Sequence, residues 1–336
     1  MPGAPVPSSA AVLARGLTKR FDEHSGVRDL NLDVPPGTIL GLIGPSGCGK
    51  TTTVRLLAGL LEPTEGRAEV FGFPSTQLGR EDRSRIGYLP QVPALFPDLT
   101  LWENLSFHAS MYALSLRHRR RYLRELLEWV ELGADRSKTV RQASGGMRRR
   151  LTLAAAFVHS PELVFLDEPT AGIDPILRDK FWSEFRALAD DGRTLVVTTQ
   201  YVGEAAHCDA VGLLSDGELV RLDAPERLRH AAYGGEVIQL VLARPPSDDD
   251  LARIAQLPCI TGAVERHRFD TVRVVVEDAD RALPEVQAAF VEAGWEPVEI
   301  AEHVVDHDEA FVRMVQEHRS RTAEARAAVE QDGPPR

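Results

Sequence analysis

The segment GPSGCGKTT at positions 44–52 constrains the fold of this chain more than any other feature. It follows the apolar run Ile39–Ile43 and precedes an apolar helical pattern that we expect to continue through Leu61. Glycines allow such a loop to turn successive backbone N–H groups toward phosphate oxygens, and the dipole of the following helix attracts the same anion. The segment therefore predicts a strand, loop and helix that bind the phosphates of a nucleotide. We call residues 44–52 the phosphate loop.

Two residues of the phosphate loop have specific predicted roles. Lys50 would bridge the β- and γ-phosphates, and the Thr51 hydroxyl would bind Mg²⁺, which prefers hard oxygen ligands. We expect the nucleotide to contact Gly44, Pro45, Ser46, Gly47, Cys48, Gly49, Lys50, Thr51 and Thr52. Cys48 has two interpretations. Its position before a helix would lower the thiol pKa and favour alkylation, but we favour a small packing residue.

An apolar run at 163–166 ends in two acidic residues, Asp167 and Glu168. Asp167 would hold Mg²⁺ through water, and Glu168 would polarise the water that attacks the γ-phosphate. An ordinary strand followed by an acidic loop is the competing interpretation. The phosphate loop upstream favours the catalytic one, because a nucleotide site needs a metal-binding half as well as a phosphate-binding half.

Short apolar or β-branched runs alternate with longer helical patterns along most of the chain. These runs lie at 39–43, 163–166, 195–198 and 211–214. The alternation predicts an α/β fold with a mostly parallel sheet. The turn sequence at 215–218 predicts a hairpin, with an antiparallel edge strand at 219–222.

The chain divides into two predicted domains. The first covers 10–233, and a boundary follows at Gly234 and Gly235. Residues 236–318 show strand and helix patterns that predict a small acidic α+β domain, arranged as a split βαβ unit. We expect residues 1–9 to form a flexible leader and residues 319–336 a flexible tail.

Three residues near the end of the small domain, His303, Asp306 and His307, allow a metal-site interpretation. We favour the alternative, in which these are simply two histidines four residues apart on a surface helix and bind no metal. No third ligand in a definite position accompanies them.

Charge and composition exclude several classes of protein. Most of the net charge of −11 lies in residues 236–336, which hold 21 acidic and 11 basic side chains. Nucleic-acid binding is not expected, because it usually needs a net basic face; we interpret the arginines at 117–121 as a solvated helix face. No apolar stretch reaches the roughly 18 to 20 residues of a membrane span, so we expect a soluble protein. Three widely spaced cysteines exclude a disulfide framework.

A second phosphate-binding helix end is predicted between the two halves of the site. Ser144 is a natural N-cap, and Gly145 and Gly146 would leave exposed N–H groups at the start of a helix through Val158. One nucleotide cannot use both helix ends. The ordered set of motifs resembles the ATP-binding subunits of ABC transporters, over about residues 10–233. This resemblance implies a P-loop NTPase domain with a mostly parallel sheet and a helical subdomain.

The resemblance implies further site residues. The signature segment, which we define as residues 144–146, would bind the γ-phosphate of the nucleotide held by the other protomer. Phe21 is similar to the aromatic residue that stacks on adenine, and Gln91 to the glutamine that contacts Mg²⁺ and the attacking water. Asp174 resembles part of the loop that crosses to the opposite protomer. Asp174 before Pro175 is also a plain helix N-cap, and both roles are compatible.

The sequence departs from the family pattern at two places. Ala143 and Met147 flank the signature segment where the family favours Leu and Gln, but the phosphate-binding residues are kept. Gln200 occupies the place of a histidine that usually contacts the γ-phosphate. A glutamine amide can donate a hydrogen bond but carries no positive charge, so we expect slower hydrolysis or greater dependence on Glu168. The surroundings of Gln200, the arginines at 148–150 and the acidic C-terminal domain resemble the daunorubicin-resistance type of exporter ATPase.

The resemblance implies an ATP-hydrolysing motor subunit that uses ATP and Mg²⁺ and exports drugs, antibiotics or lipids. Two copies, or this chain and a close relative, would enclose two nucleotides head to tail on a separate transmembrane permease, at the cytoplasmic face of the cell membrane. We expect that permease to dock near Gln91 and residues 99–105, with an exposed Trp102 as an anchor. The alternative is a nucleotide-gated regulatory subunit that hydrolyses weakly or not at all. ABC proteins that act on ribosomes or DNA ends are disfavoured, because the sequence shows one such domain and no heptad run.

Overall fold

The structure is a computed structural model that describes residues 10–22, 25–112 and 116–331. Contacts divide the chain into two compact units, with the division between Leu222 and Asp223. Each unit has its own β-sheet structure and its own cluster of buried apolar side chains. Within the described residues, no helix has both the length and the apolar character needed to cross a membrane. The leader predicted at 1–9 lies outside the described residues.

The first unit alternates strands with helices, as the sequence predicts. Its strands are β1 (Val12–Arg20), β2 (Gly26–Val34), β3 (Ile39–Ile43), β4 (Glu65–Val70), β5 (Phe73–Pro74), β6 (Ile86–Leu89), β7 (Leu163–Asp167), β8 (Thr194–Thr199), β9 (Ala210–Ser215) and β10 (Glu218–Asp223). Its α-helices are α1 (Lys50–Leu57), α2 (Arg80–Arg83), α3 (Leu101–Met111), α4 (Leu116–Trp129), α5 (Gly145–Phe157) and α6 (Pro175–Asp190). Short 3₁₀ turns lie at Ser75–Gln77, Val140–Gln142 and Val202–His207.

A six-stranded sheet determines where the candidate site forms. Its strand order is β10-β9-β3-β8-β7-β6, and every pair from β9 to β6 is parallel. Strands β3, β7 and β8 are buried along their whole length, as is typical of parallel strands covered on both faces. Loops that follow parallel strands leave the sheet at one edge. The phosphate loop, Glu168, Gln200 and Gln91 follow β3, β7, β8 and β6, so the sheet brings all four to that edge.

Short glycine-containing segments determine the turn at the edge of this sheet and the end of α1. Strand β10 is joined to β9 by Asp216 and Gly217 alone, which is the hairpin predicted from the sequence. Helix α1 ends at Leu57, before the predicted end at Leu61. Gly59 has a left-handed φ of 67°, and a Cβ there would lie 1.9 Å from the carbonyl oxygen of Ser75. Only glycine fits this helix-terminating position.

The first unit also contains an antiparallel sheet that the sequence analysis did not predict. Its strand order is β2-β1-β4-β5. Apolar side chains of this sheet, including Val12 and Leu30, pack in one cluster with Val54 of α1. The antiparallel sheet therefore supports the helix that carries Lys50.

The second unit forms a separate α+β fold. Its elements are α7 (Pro225–Tyr233), β11 (Glu236–Leu242), α8 (Asp248–Ile254), β12 (Val264–Arg266), β13 (Thr271–Val276), α9 (Ala279–Glu292), β14 (Pro297–His303) and α10 (His307–Gln331). The strand order is β12-β13-β11-β14, and all three pairs are antiparallel. Strand β13 lies between β11 and β12, and β11 lies between β13 and β14. This is the split βαβ arrangement that the sequence pattern predicts.

Some segments of the second unit differ from the sequence prediction. Helix α7, which we expected in the first domain, groups with the second unit because it packs against α10 and β11. Helix α10 extends to Gln331, into the segment predicted as a tail. His303 ends β14 and His307 begins α10, so these histidines do not share a helix. Among the residues described, no group of three or more His, Cys, Asp or Glu side chains is placed to hold a metal ion.

A polar cluster joins α10 to the sheet of the second unit. The Glu309 carboxylate accepts hydrogen bonds from Tyr233 and from the buried Arg273, and its Oε2 lies 3.5 Å from His303 Nε2. Burial alone would raise the Glu309 pKa. The Tyr233 hydroxyl and the Arg273 charge outweigh that effect and hold the pKa below its usual value. Glu309 therefore stabilises this unit as a carboxylate.

We expect Glu309→Gln to destabilise the second unit by about 1–2 kcal/mol at pH 7, because Arg273 loses its counter-charge in a buried position. A lowered folded-state pKa means that this contribution is present above the usual carboxyl pKa and is lost as the pH falls through the folded value. Native-state hydrogen exchange of the β11 and β13 amides, at neutral and at acid pH, measures the effect. Glu302→Gln, at an exposed position of β14, is the matched control and should leave exchange unchanged. Equal losses in both variants, or a difference that persists in acid, would contradict this account.

Candidate nucleotide-binding site

The phosphate loop has a backbone shape that requires its glycines. A Cβ at Gly44 would lie 2.2 Å from the carbonyl oxygen of Leu214, and Gly47 and Gly49 have left-handed φ values of 80° and 106°. Gly49 is the N-cap of α1 and has no side chain to bond the first amides of that helix. Those amides also lack acceptors within the helix. The start of α1 therefore presents free N–H groups to an anion.

Lys50 joins the two predicted halves of the site. Its Nζ donates to the carbonyl oxygens of Gly44 at 2.7 Å and Pro45 at 3.0 Å, which holds the ammonium at the phosphate loop. The same Nζ lies 3.8 Å from Oε1 of Glu168. Both side chains are largely buried, so their charges interact with little screening from water. The predicted phosphate-binding cation and the predicted general base thus lie close together.

Asp167 has the properties of a residue that helps to hold a cation. It is fully buried, and its Oδ1 accepts hydrogen bonds from the hydroxyls of Thr198 at 2.6 Å and Thr51 at 3.1 Å. Its Oδ2 is also buried and has no hydrogen-bond partner among the described residues. A buried carboxylate oxygen without a partner is costly. Carboxylate and hydroxyl oxygens are the ligands that Mg²⁺ prefers, so Asp167 and Thr51 fit this ion.

The backbone of Glu168 is held in an uncommon conformation. Its φ is 54°, in the left-handed region that a residue with a side chain seldom adopts. The Glu168 N–H donates to Oγ1 of Thr198 at 2.9 Å and to the Thr198 carbonyl oxygen at 3.1 Å. Such conformations persist where surrounding contacts fix them, and they are common at active sites. Thr198 thus positions Asp167 and Glu168 with one hydroxyl.

The signature segment forms the second helix end, as the sequence predicts. Ser144 is the N-cap of α5, and its hydroxyl accepts the Met147 N–H at 3.2 Å. Gly145 and Gly146 occupy the first turn of α5, and a Cβ at Gly145 would meet open space. The first turn of a helix has N–H groups without partners in the helix. This end can therefore bind a second anion at the surface.

The chain can now be compared with known proteins. A family model described as ABC transporter matches residues 27–171. The chain is 37% identical to the daunorubicin resistance ATP-binding protein DrrA3 of Streptomyces coeruleorubidus, over 93% of this chain and 98% of that protein. The chain belongs to the ABC transporter ATP-binding proteins. It is also 37% identical to the Nod factor export ATP-binding protein I of Burkholderia pseudomallei, over 76% of this chain and 84% of that protein.

A solved ABC structure has the same fold. The dimeric ATP-binding cassette MJ0796, in a post-hydrolysis state bound to ADP and Pi, matches with a TM-score of 0.59 and 28% identity. The match covers 63% of this chain and 98% of the cassette. The predicted P-loop NTPase architecture of an ABC ATPase is confirmed. The resemblance to the daunorubicin-resistance type is confirmed by the relatives from Streptomyces.

Four residues that the ABC family pattern singles out lie at the surface. Gln91 and Gln200 are exposed just after β6 and β8, at the same sheet edge as Lys50. The Phe21 side chain is 58% exposed, and Lys19 Nζ lies over its ring, 5.8 Å from the centroid. Asp174 is the N-cap of α6 and accepts the Leu177 N–H at 3.0 Å. The N-cap role is confirmed, while the nucleotide and cross-protomer roles stay predictions.

The structure favours one of the two interpretations of Cys48 and corrects the expectation for Trp102. Burial raises the pKa of the Cys48 thiol, against a smaller lowering effect of the Lys50 charge, so the alkylation-prone thiolate suggested by the helix start is not favoured. Cys48 is buried beside Gly44, as expected for a packing residue. Trp102 is the second residue of α3 and is partly buried rather than exposed. It offers less contact surface than the sequence suggested.

The sequence analysis assigned no role to Thr198 or Arg149. Thr198 lies in an apolar strand, where threonine is a common β-forming residue, and its register partner in the sheet is Asp167. Arg149 reaches the carbonyl oxygens of Asp167 and Glu168 from α5. The only sequence clue to Thr198 is that it lies two residues before Gln200, which departs from the family pattern. No sequence signal distinguished Arg149 from the arginines beside it.

We expect Thr198→Val to lower ATPase turnover about tenfold, because the substitution removes a hydrogen bond to a charged carboxylate and leaves the Glu168 N–H without a hydroxyl partner. Thr194→Val on the same strand is the matched control. Its hydroxyl accepts from Gly37 N at 3.0 Å, away from the predicted nucleotide contacts, and we expect less than about a twofold effect. Steady-state ATP hydrolysis at saturating ATP measures both. Wild-type turnover in folded Thr198→Val would contradict the positioning role.

Proposed function

We propose that this ABC ATPase is the ATP-hydrolysing subunit of an exporter and works as a head-to-tail dimer. One observation carries the proposal: the chain has two helix ends suited to phosphate, one at Gly49 and Lys50 and one in the signature segment. The hydrogen bonds of Ser144 stay within its own helix turn, whereas Lys50 bonds the phosphate loop. A second copy, or a close relative, supplies the helix end that each nucleotide lacks.

Each charged residue of the site has a separate role in the proposed hydrolysis. Lys50 binds the β- and γ-phosphates of ATP, because its ammonium is already held over the phosphate loop. Glu168 accepts the proton of the attacking water, since its carboxylate lies beside the Lys50 ammonium that marks the phosphates. Asp167 and Thr51 would hold Mg²⁺, and the bound ion would neutralise charge on the phosphoryl group. Loss of the γ-phosphate removes contacts on both protomers, so the pair reopens.

A weakly hydrolysing regulatory subunit is the second candidate, and Gln200 is the observation that favours it. Its exposed amide cannot supply the positive charge of a histidine to the γ-phosphate. The contact between Lys50 and Glu168 argues for turnover, because a general base is already placed at the phosphates. The two candidates differ in the measured rate: a regulatory subunit would hydrolyse no faster than its Glu168→Gln variant.

The relatives indicate the type of cargo but not its identity. Their names refer to daunorubicin resistance and to export of Nod factor. We propose drugs, antibiotics or lipids as the candidate cargoes. The subunit works at the cytoplasmic face of the membrane, where ATP is present. The cargo itself is handled by a separate membrane subunit.

An apolar surface next to Gln91 suits the docking of that membrane subunit. Val92 is 76% exposed and Met111 63% exposed, and the exposed rings of Phe96 and Phe107 contact each other edge to face at 4.7 Å. Single exposed apolar residues are ordinary, but adjacent aromatic rings at a loop that carries a site residue favour a partner surface. In the sequence, Val92 follows Gln91, and Phe96 and Phe107 lie on either side of the predicted docking segment 99–105.

We expect Glu168→Gln to lower ATP turnover about a hundredfold or more, while the variant with Mg²⁺ and ATP forms stable dimers. Dimers accumulate because the contacts to the γ-phosphate persist when hydrolysis is blocked. Hydrolysis assays and sedimentation velocity measure the two effects. Glu128→Gln, at an exposed position of α4, is the control and should behave as wild type. Wild-type turnover in Glu168→Gln would refute the role of the carboxylate.

We expect Phe107→Asp to abolish co-purification with the proposed membrane subunit, because a charge is placed in an apolar interface. ATP-induced dimerisation should be unaffected. Phe269→Asp is the matched control, since Phe269 is a 78% exposed aromatic residue in the second unit. If Phe269→Asp breaks the complex and Phe107→Asp does not, the docking surface lies elsewhere.

A further inference from the structure

Arg149 makes an unusual set of contacts between α5 and the two loops of the site. It is 6% exposed and lies one turn after the signature segment. Its Nη1 donates to the carbonyl oxygens of Pro90 at 2.6 Å and Gln91 at 3.0 Å. Its Nη2 donates to the carbonyl oxygens of Asp167 and, at 2.7 Å, Glu168. One guanidinium thus joins the backbones that carry three predicted catalytic or metal-binding side chains.

These contacts are poorly explained by stability alone. Burial lowers the pKa of the Arg149 guanidinium, against the raising effect of the Asp167 and Glu168 charges, and its Nε is buried without a partner among the described residues. A buried cation held by carbonyl dipoles is expensive to desolvate, and an apolar side chain of similar size often stabilises a core as well or better. The planar fork of the guanidinium does supply a fixed geometry between two loops. We therefore attribute to Arg149 the task of fixing the positions of the two loops relative to each other.

The neighbouring arginines make a useful comparison. Arg148 donates to the carbonyl oxygen of Ala143, five residues earlier in the chain, at 3.0 Å. Arg150 donates to the carbonyl oxygens of Val130 and Glu131, which follow α4, at 3.0 and 3.2 Å. Of these three arginines, Arg149 alone bonds the backbone at Gln91 and Glu168. The contact is specific to one face of α5.

We infer that Arg149 is a positioning residue that transmits occupancy of the signature segment to the catalytic loops of the same chain. The inference rests on the proposed dimer, in which the signature segment binds the γ-phosphate held by the other copy. A helix moves as a rigid element, so a shift of its first turn also moves Arg149. That movement displaces the carbonyl groups of Gln91 and Glu168 together. Each copy then reaches its active geometry only when its partner holds ATP, and hydrolysis is cooperative in ATP.

The test measures ATP turnover as a function of ATP concentration for wild type, Arg149→Gln and Arg149→Met. We expect the wild-type Hill coefficient to exceed 1. Both variants should show a coefficient near 1 and a kcat about tenfold lower, with the KM for ATP changed less than about threefold. The nucleotide contacts themselves come from the phosphate loop, which Arg149 does not touch. Arg150→Gln is the matched control and should keep the wild-type Hill coefficient.

Dimerisation separates this inference from the proposed function. In the Glu168→Gln background, Arg149→Gln should still form dimers with Mg²⁺ and ATP, because the signature segment is intact. A wild-type protein that neither hydrolyses ATP nor dimerises would refute the proposed function. Wild-type cooperativity retained in folded Arg149→Gln or Arg149→Met would overturn the role of Arg149 alone. Failure of both variants to fold would make Arg149 a structural residue and would equally overturn the inference.

Discussion

The buried carboxylate of Asp167 is the contact on which the rest of the nucleotide site depends. Its Oδ1 accepts hydroxyls from Thr51 of α1 and Thr198 of β8, and its carbonyl oxygen accepts from Arg149 of α5. Three elements that are far apart in the sequence are therefore bonded to one residue at the end of β7. Because the residue is fully buried, each of these bonds forms in a low local dielectric, where it is strong when made and costly when lost. The same residue leaves Oδ2 for a cation.

This arrangement supports the proposal that the site is half of a larger one. The parallel sheet gathers the phosphate loop, Glu168, Gln91 and Gln200 at one edge, which is enough to hold a triphosphate from one side. The signature segment is a helix end of the same kind, but its N-cap contacts stay within α5. A partner with the same two phosphate-binding helix ends would account for the presence of both ends in one chain. In the proposed dimer, hydrolysis would change the contacts of two protomers at once, which is what a motor subunit needs in order to move another protein.

The sequence was sufficient for the parts of the site that depend on local chemistry. The phosphate loop, the acidic end of β7 and the N-cap Ser144 each combine a residue type with a neighbouring strand or helix, and all three are where the sequence placed them. Thr198 and Arg149 could not be found in this way, because their roles depend on partners brought close by the sheet and by α5. The favoured interpretation of Cys48 as a packing residue agrees with its burial, but the direction of its pKa shift could not be found from the sequence, because the nearby helix start is visible there and burial beside Gly44 is not. In the second unit, the strand pattern predicted the topology, whereas the grouping of α7 follows from packing against α10.

The most direct measurement is a structure of the Glu168→Gln protein with Mg²⁺ and ATP, determined by cryo-electron microscopy or crystallography. The account predicts two chains enclosing two nucleotides, with Ser144 Oγ and the amides of Gly145 and Gly146 about 3 Å from the γ-phosphate that Lys50 of the other chain binds. A closed assembly in which the signature segment contacts no nucleotide would contradict it. So would a complex with ATP that remains a single chain at high protein concentration.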